Sequence, residues 1–320
     1  MRTAFSEGLP GDDTSPPTLG TEGIMDGFAG GPTAEPKVCL TIGSSDSSGG
    51  AGIQGDIKAL ASIGCHAATA LVGITAQNTR GVVSRHTVPV PAVRAQIDAV
   101  LDDLAVDAVK VGTLWSAELV ADLAARLADL AVPLVADPVM VTAAGSRLYS
   151  DDAVEAFVAE LLPLAAVITP NLPEARLLAR RPDEDDPVRL CAELARLGAS
   201  AVVITGGGRE VVCDWLFDGH RDYRFRSTPS SAAATHGAGC AHSALITGLL
   251  ARGDSVVEAV SRAGELAAEG VGRGLVGIGS GESPVDLLDL RRRADALSRP
   301  RRPIHRSRPT DRRGHIAEGT

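Results

Sequence analysis

Val38-Cys39-Leu40-Thr41-Ile42-Gly43, continuing as Ser44-Ser45-Asp46-Ser47-Ser48-Gly49-Gly50-Ala51-Gly52-Ile53-Gln54-Gly55-Asp56, is an apolar run, a glycine-rich turn and the opening of a helical pattern. A short run of branched and apolar residues closed by small ones predicts a buried strand. Over 51–63, Ile53, Ile57, Leu60 and Ala61 share one face at helical spacing, which predicts a helix. The same unit then repeats in kind. Strands are predicted at 67–74, 108–112, 133–136, 166–169 and 201–205, and helices at 91–104, 117–130, 151–162, 174–179 and 187–197. The segments 211–217 and 221–225 read as a hairpin through Asp218-Gly219-His220, and helices at 239–250 and 255–269 close the pattern. This alternation predicts an α/β fold, a mostly parallel sheet covered by helices on both faces, with ligands at the carboxyl ends of the strands.

Composition fits that architecture. The 320 residues are enough for one large α/β domain plus tails. Hydrophobic residues make up 44% but aromatics only 3%, so the core must be built from Ala, Val, Leu and Ile, as in a parallel sheet. A net charge of −9 argues against a general nucleic-acid binder. No run approaches the ~18 apolar residues of a membrane span, so no membrane partner is expected. Residues 1–36 read as a disordered leader without the pattern of a signal peptide, residues 37–290 as the folded domain, and residues 291–320 as an Arg/Pro-rich disordered tail. That tail carries ten arginines against Asp295, Asp311 and Glu318. It reads as an arm for an anionic partner, nucleic acid or membrane, or as a solvated extension, and the second is favoured because arginine is the default cation of a chain whose lysines are Lys37, Lys58 and Lys110. Cys39, Cys65, Cys191, Cys213 and Cys240 are widely spaced, odd in number and free of any C-x-x-C, which predicts free thiols in a reduced cytoplasm.

The candidate chemistry lies at the strand ends. Thr235-His236-Gly237-Ala238-Gly239-Cys240 leads into the apolar helical run from Ala241. A small-residue turn opening a helix offers unpaired N–H groups and the positive end of the helix dipole to an anion. Cys240 falls in the first turn, where a thiol pKa tends to drop. The first turn, Gly43 to Gly52, matches neither phosphate-loop nor dinucleotide fingerprint. It can cradle phosphate, or Asp46 and its serines can simply cap the helix. In the second junction, Thr75 to Gly81, Gln77 can both donate to and accept from a nitrogen heterocycle. Asp137 follows another strand and suits water bound to Mg²⁺, or a plain turn. Asn171 and Glu174 lie three apart at a helix start. They can hold hydrated Mg²⁺ against nucleotide phosphates, or form a capping pair. Thr205-Gly206-Gly207-Gly208-Arg209 closes the next strand and admits a ligand close to the backbone, or turns into the hairpin.

Taken in order, these pieces resemble the ribokinase superfamily, and more narrowly the hydroxymethylpyrimidine/phosphomethylpyrimidine kinases of thiamine biosynthesis. The matching segments are Thr41-Ile42-Gly43 through Lys58, Ala76-Gln77-Asn78-Thr79, Lys110-Val111-Gly112, Asp137-Pro138-Val139-Met140, Thr169-Pro170-Asn171 with Glu174-Ala175, and Thr235 through Ser243. The resemblance covers roughly residues 38–290. It implies a ribokinase-like three-layer α/β/α sandwich and ATP-dependent phosphorylation of a small aminopyrimidine alcohol and then of its monophosphate. It implies substrate contacts from Asp56, Gln77 and Gly43, and ATP and Mg²⁺ contacts from Asn171, Glu174, Thr205 and Gly207, with Glu174 and Asp137 toward the metal. Gly237, Ala238 and Gly239 would form an anion hole, and Cys240 stands where the wider superfamily has an Asp general base. A cytoplasmic homodimer is the expected assembly. Three departures from the family pattern stand out: Thr205 replaces a Lys, Thr113 replaces a Met, and the stretch Ala143-Ala144-Gly145-Ser146 replaces Lys-Ser-Gly-Asp. These departures leave a pyridoxal-type kinase, or a pyrimidine-binding relative of reduced activity, as alternatives.

Overall fold

The computed structural model describes residues 35–140, 148–206, 212–227 and 234–298. Its strands are β1 (Lys37–Asp46), β2 (Cys65–Asn78), β3 (Gly81–Thr87), β4 (Ala108–Val111), β5 (Leu134–Ala136), β6 (Val167–Ile168), β7 (Val202–Ile204), β8 (Val212–Phe217) and β9 (Asp222–Ser227). Its helices are α1 (Gly52–Ser62), α2 (Val90–Asp103), α3 (Ala117–Leu127), α4 (Asp151–Ala156), α5 (Leu172–Ala179), α6 (Pro187–Arg196), α7 (Ala238–Ala251), α8 (Val256–Gly272) and α9 (Leu290–Ser298).

The strands form one sheet in the order β3-β2-β1-β4-β5-β6-β7-β8-β9. From β2 to β7 neighbours run parallel, whereas β3, β8 and β9 pair antiparallel at the two edges. Strand β1 pairs with β2 on one side and β4 on the other, so the winding reverses there. The crevice outside the carboxyl ends of β1 and β4 is therefore where an open α/β sheet receives its ligand.

Alternate residues of the central strands feed two cores, one on each face. Cys39, Ala108, Val135 and Val203 pack with Leu60, Leu245, Leu249 and Val260 of α1, α7 and α8. Leu40, Val109, Ala136 and Val202 pack with Ile97, Leu123, Phe157 and Leu190 of the helices opposite. Each fully buried Leu, Ile or Phe contributes about 1.5–3 kcal/mol relative to exposure. Helix α7 is buried nearly all round, as expected of a helix held between a sheet and other helices. Small residues allow this. A Cβ on Gly248 would lie 2.6 Å from Ile63 and 3.0 Å from Leu60, so α1 and α7 touch backbone to side chain.

The structure departs from the expected elements in three places. The segment 75–81 is not a strand-to-helix junction. It is the end of β2 and the turn into β3, so Gln77 lies on a strand facing Ser47. The helix expected over 151–162 ends at Ala156 and continues as a π-turn (Phe157–Leu161) and a 3₁₀ turn (Leu162–Leu164). Pro163 lacks the N–H that a continuing α-helix needs. The tail expected from residue 291 begins as α9, all of whose residues are solvent-facing or nearly so. Its Arg, Ala and Leu content favours helix, and the Asp286 carboxylate accepts the Leu290 N–H at its start.

Candidate active site

Lys110 is the third residue of β4 and only 1% exposed. Its ammonium donates to Asp56 Oδ1 at 2.5 Å and lies 3.7 Å from Asp137 Oδ2. Asp56, on α1, accepts at its other oxygen from the Thr41 hydroxyl of β1 at 2.5 Å. Asp137, just past β5, accepts from the Ser243 hydroxyl of α7 at 2.8 Å and from the Thr169 hydroxyl past β6 at 3.3 Å. One cation thus ties together the middle of β1, the carboxyl ends of β4 and β5, and the helices α1 and α7. Burial pushes the Asp56 carboxyl up against the pull of Lys110 and Thr41. Burial also works against the ammonium, but the neighbouring Asp56, Cys240 and Asp137 hold Lys110 above its ordinary range, so it keeps its proton.

Cys240 occupies the first turn of α7, as expected, but its thiol does not follow the expected fall. Burial pushes it up to about 12, with Asp137 and Asp56 adding to the rise, while Lys110 and the Gly52 N–H pull the other way. Desolvation beside two carboxylates outweighs the helix N-terminus.

The two glycine turns behave differently. In the first, the Asp46 carboxylate, 3% exposed, takes the loop's own donors: Ser48 N (2.8 Å), Gly50 N (3.2 Å), Ala51 N (2.8 Å) and the Ser48 hydroxyl (2.8 Å). That turn is filled by an internal anion and is not a phosphate cradle. Burial works against ionising Asp46, but His236, Ser48 and the loop amides overcome it and lower its pKa from the ordinary 3.8 to about 2. In the second turn Gly237 has φ +81°, a conformation that favours glycine, and caps α7. The Ala238 N–H bonds back to the Thr235 carbonyl at 3.1 Å. Of the expected anion hole, this leaves the Gly237 and Gly239 amides, joined by that of Cys240, as donors at the helix start without a helical acceptor.

Along the rest of the sheet edge the expected residues lie in sequence but are already engaged. Asn171 and Glu174 form a complete capping box: Asn171 Oδ1 accepts from Glu174 N and Glu174 Oε2 accepts from Asn171 N, both at 3.0 Å. Glu174 Oε1 also accepts from Met140 N at 3.0 Å, tying α5 to the chain beyond Asp137. Thr205 forms a bridge with Asn171, and Gly206 donates to Asp214. Gln77 is half-buried, and its side-chain oxygen accepts from the Thr75 hydroxyl at 3.2 Å. Gly43 is buried against Ile53. Thr113, in place of the expected Met, is buried just past β4, and the adjoining Leu114 N–H donates to the Tyr149 hydroxyl. Gly207, Arg209 and the segment 143–146 lie outside the described residues. Lys110, Ser243, Thr41, Asp46 and His236 carry much of this site, yet sequence reasoning gave none of them a ligand-facing role. One signal was available, a lysine inside the apolar strand Ala-Val-Lys-Val.

The profile of the phosphomethylpyrimidine kinase family matches residues 46–286. A hydroxymethylpyrimidine/phosphomethylpyrimidine kinase of Rhizobium meliloti (strain 1021) is 44% identical over 232 residues, 71% of this chain and 87% of that protein. Among solved structures, the ADP complex of Bacillus subtilis pyridoxal kinase superimposes with a TM-score of 0.74 at 33% identity, covering 80% of this chain and 99% of that one. A phosphomethylpyrimidine kinase from Clostridium difficile 630 gives 0.65 at 33% identity, covering 73% and 98%.

Two outcomes follow from the buried charges. Lys110→Met strands Asp56 beside Asp137 and is expected to cost about 3–5 kcal/mol in urea unfolding. The Asp56→Asn/Lys110→Met pair is expected to recover more than half of that loss. Asp46 contributes about 2 kcal/mol that is present above pH 3.8 and disappears as pH falls toward 2. Acid unfolding curves should therefore show Asp46→Asn less stable near neutrality but without that part of the acid loss.

Proposed function

We infer the activity of this chain from its membership: it belongs to the phosphomethylpyrimidine kinase family. It transfers a phosphoryl group from ATP to the hydroxymethyl group of 4-amino-5-hydroxymethyl-2-methylpyrimidine, and then phosphorylates the monophosphate to the diphosphate, in thiamine biosynthesis. The observation that carries this reading is the meeting of Asp56, Asp137 and the start of α7 around Lys110, inside the segment matched to the family.

In this reading Asp56 and Gln77 flank the aminopyrimidine, with Gly43 at the floor between them. The Asp56 oxygens each keep a lone pair beyond their present bonds. The Gly239 and Cys240 amides and the α7 dipole receive charge on the transferring phosphoryl group. Transfer of this kind depends on alignment and charge stabilisation more than on covalent chemistry by the protein. A thiol held at about 12 is protonated at neutral pH, so Cys240 serves the substrate hydroxyl as a polar contact and the amides carry the charge. The free thiols at Cys39, Cys65, Cys191, Cys213 and Cys240 suit the cytoplasm.

Mg²⁺ fits this site as a hydrated ion only. Among the described residues no three carboxylate, His or Cys groups are placed to cage a metal, and Asn171 and Glu174 are committed to their capping box. Asp137, just past β5, and Glu174, in the first turn of α5 with its oxygens already accepting from Asn171 N and Met140 N, are the carboxylates that would hold its water shell, as Mg²⁺ sites on nucleotide phosphates commonly require. When bound, the ion neutralises phosphate charge.

The pyridoxal reading is favoured by one feature: Thr113 makes the wall past β4 polar where the family resemblance has Met. A substrate panel separates the two. ADP release is expected with the hydroxymethylpyrimidine and its monophosphate, at a kcat/KM at least about tenfold above that for pyridoxal, roughly what one well-placed contact supplies. No ADP release with any of the three would overturn kinase activity. Cys240→Ala is expected to lower kcat by about 10- to 100-fold with pyrimidine KM changed far less, and Cys240→Ser to retain most of the rate. A loss beyond about 10³ would instead mark the thiol as a general base.

A further inference from the structure

We propose that His236, with Asp46, is a positioning residue that fixes the anion-binding turn of α7 against the substrate-side turn of α1; the proposal builds on the kinase reading above. His236 Nε2 lies 2.9 Å from Asp46 Oδ2 and 3.3 Å from the Ser48 hydroxyl. A carboxylate can only accept, so the imidazole carries a proton on Nε2. Asp46 Oδ2, which receives it, also accepts from Gly50 N and Ala51 N, while Oδ1 of the same carboxylate accepts from Ser48 N. One carboxylate therefore holds its own loop and grips the residue immediately before the α7 cap.

The contact is close on both sides. A Cβ on Gly50 would lie 2.1 Å from His236 Cδ2, and a Cβ on Gly237 would lie 1.9 Å from the Gly50 carbonyl oxygen. The imidazole thus rests on the Gly50 backbone, and Gly237 rests on its carbonyl. The backbone of His236 is also held by Ser283, whose carbonyl accepts its N–H, and by Val285, whose N–H donates to its carbonyl, both at 3.2 Å. Beyond the contact, Gly52 opens α1, which carries Asp56, and the Gly52 N–H faces the Cys240 sulfur. The distance from the substrate side to the Gly239 and Cys240 amides is therefore set by the Asp46–His236 grip. An in-line transfer is sensitive to misplacement on the scale of 1 Å.

The test uses the full chain and His236→Ala, with His236→Gln as the variant that keeps a side-chain N–H. His236→Ala should lower kcat about 100-fold with KM for ATP and for the pyrimidine within about threefold, the pattern of lost alignment rather than lost binding. Added imidazole or the Gln variant should restore at least about tenfold. Hydrogen exchange should quicken together in the peptides covering 47–52 and 236–241. Unchanged kcat overturns the proposal. So does a loss of kcat with a lowered melting temperature that neither imidazole nor Gln recovers, because that marks a merely structural histidine. If the wild-type chain turns over none of the substrates, the kinase reading fails by itself, and exchange decides the grip. Loosening of 236–241 without 47–52 overturns it, and loosening of both sustains it.

Discussion

An ammonium with almost no exposure to water stands at the centre of the sheet, and the arrangement of the site depends on it. Isolated, Lys110 would cost several kcal/mol to bury. It is tolerated because Asp56 reaches it from α1 and Asp137 from the end of β5. Each carboxylate is in turn held by hydroxyls, Thr41 in one case and Ser243 and Thr169 in the other. The charges therefore do not merely offset one another. They fix the relative positions of two helices and three strands at the point where the winding of the sheet reverses. An apolar replacement of similar volume could match the stability of such a network. It would not hold two carboxylates and a thiol around one ammonium.

The two glycine-rich turns divide the work. The first supplies its own anion, Asp46, and becomes a rigid wall whose amides are occupied. The second begins a buried helix and keeps first-turn amides for a ligand. Glycine is needed at Gly50 for contact, and at Gly237 for both contact and a positive φ, since a side chain at either would enter the facing turn. Closeness of the two turns makes the α7 amides a defined part of the site rather than an exposed helix end.

Much of the fold was legible because burial on both faces leaves a plain record: short apolar strands alternating with amphipathic helices. The hairpin of β2 and β3 was not, because Gln77-Asn78-Thr79-Arg80-Gly81 is polar and reads as a loop; its strand character comes from pairing across Ala76–Ser84 and Gln77–Val82. The break after α4 was marked by Pro163 but overridden by the apolar period around it. The site was legible as a set of motifs and not as a geometry. Asn171 and Glu174 sit where the spacing put them, and that spacing serves a capping box as readily as a metal.

Sequence alone determined the α/β class, the order of the elements apart from β3, and the strand ends that carry polar residues, because hydrophobic period and turn chemistry are local properties. It also carried the family resemblance through ordered short motifs. Tertiary structure decided which of those residues meet. It placed Lys110 between Asp56 and Asp137, filled the first glycine turn with Asp46, and raised the Cys240 thiol where a helix N-terminus by itself would lower it. Desolvation and long-range charge depend on what surrounds a group in space, and no window of neighbouring residues contains that information.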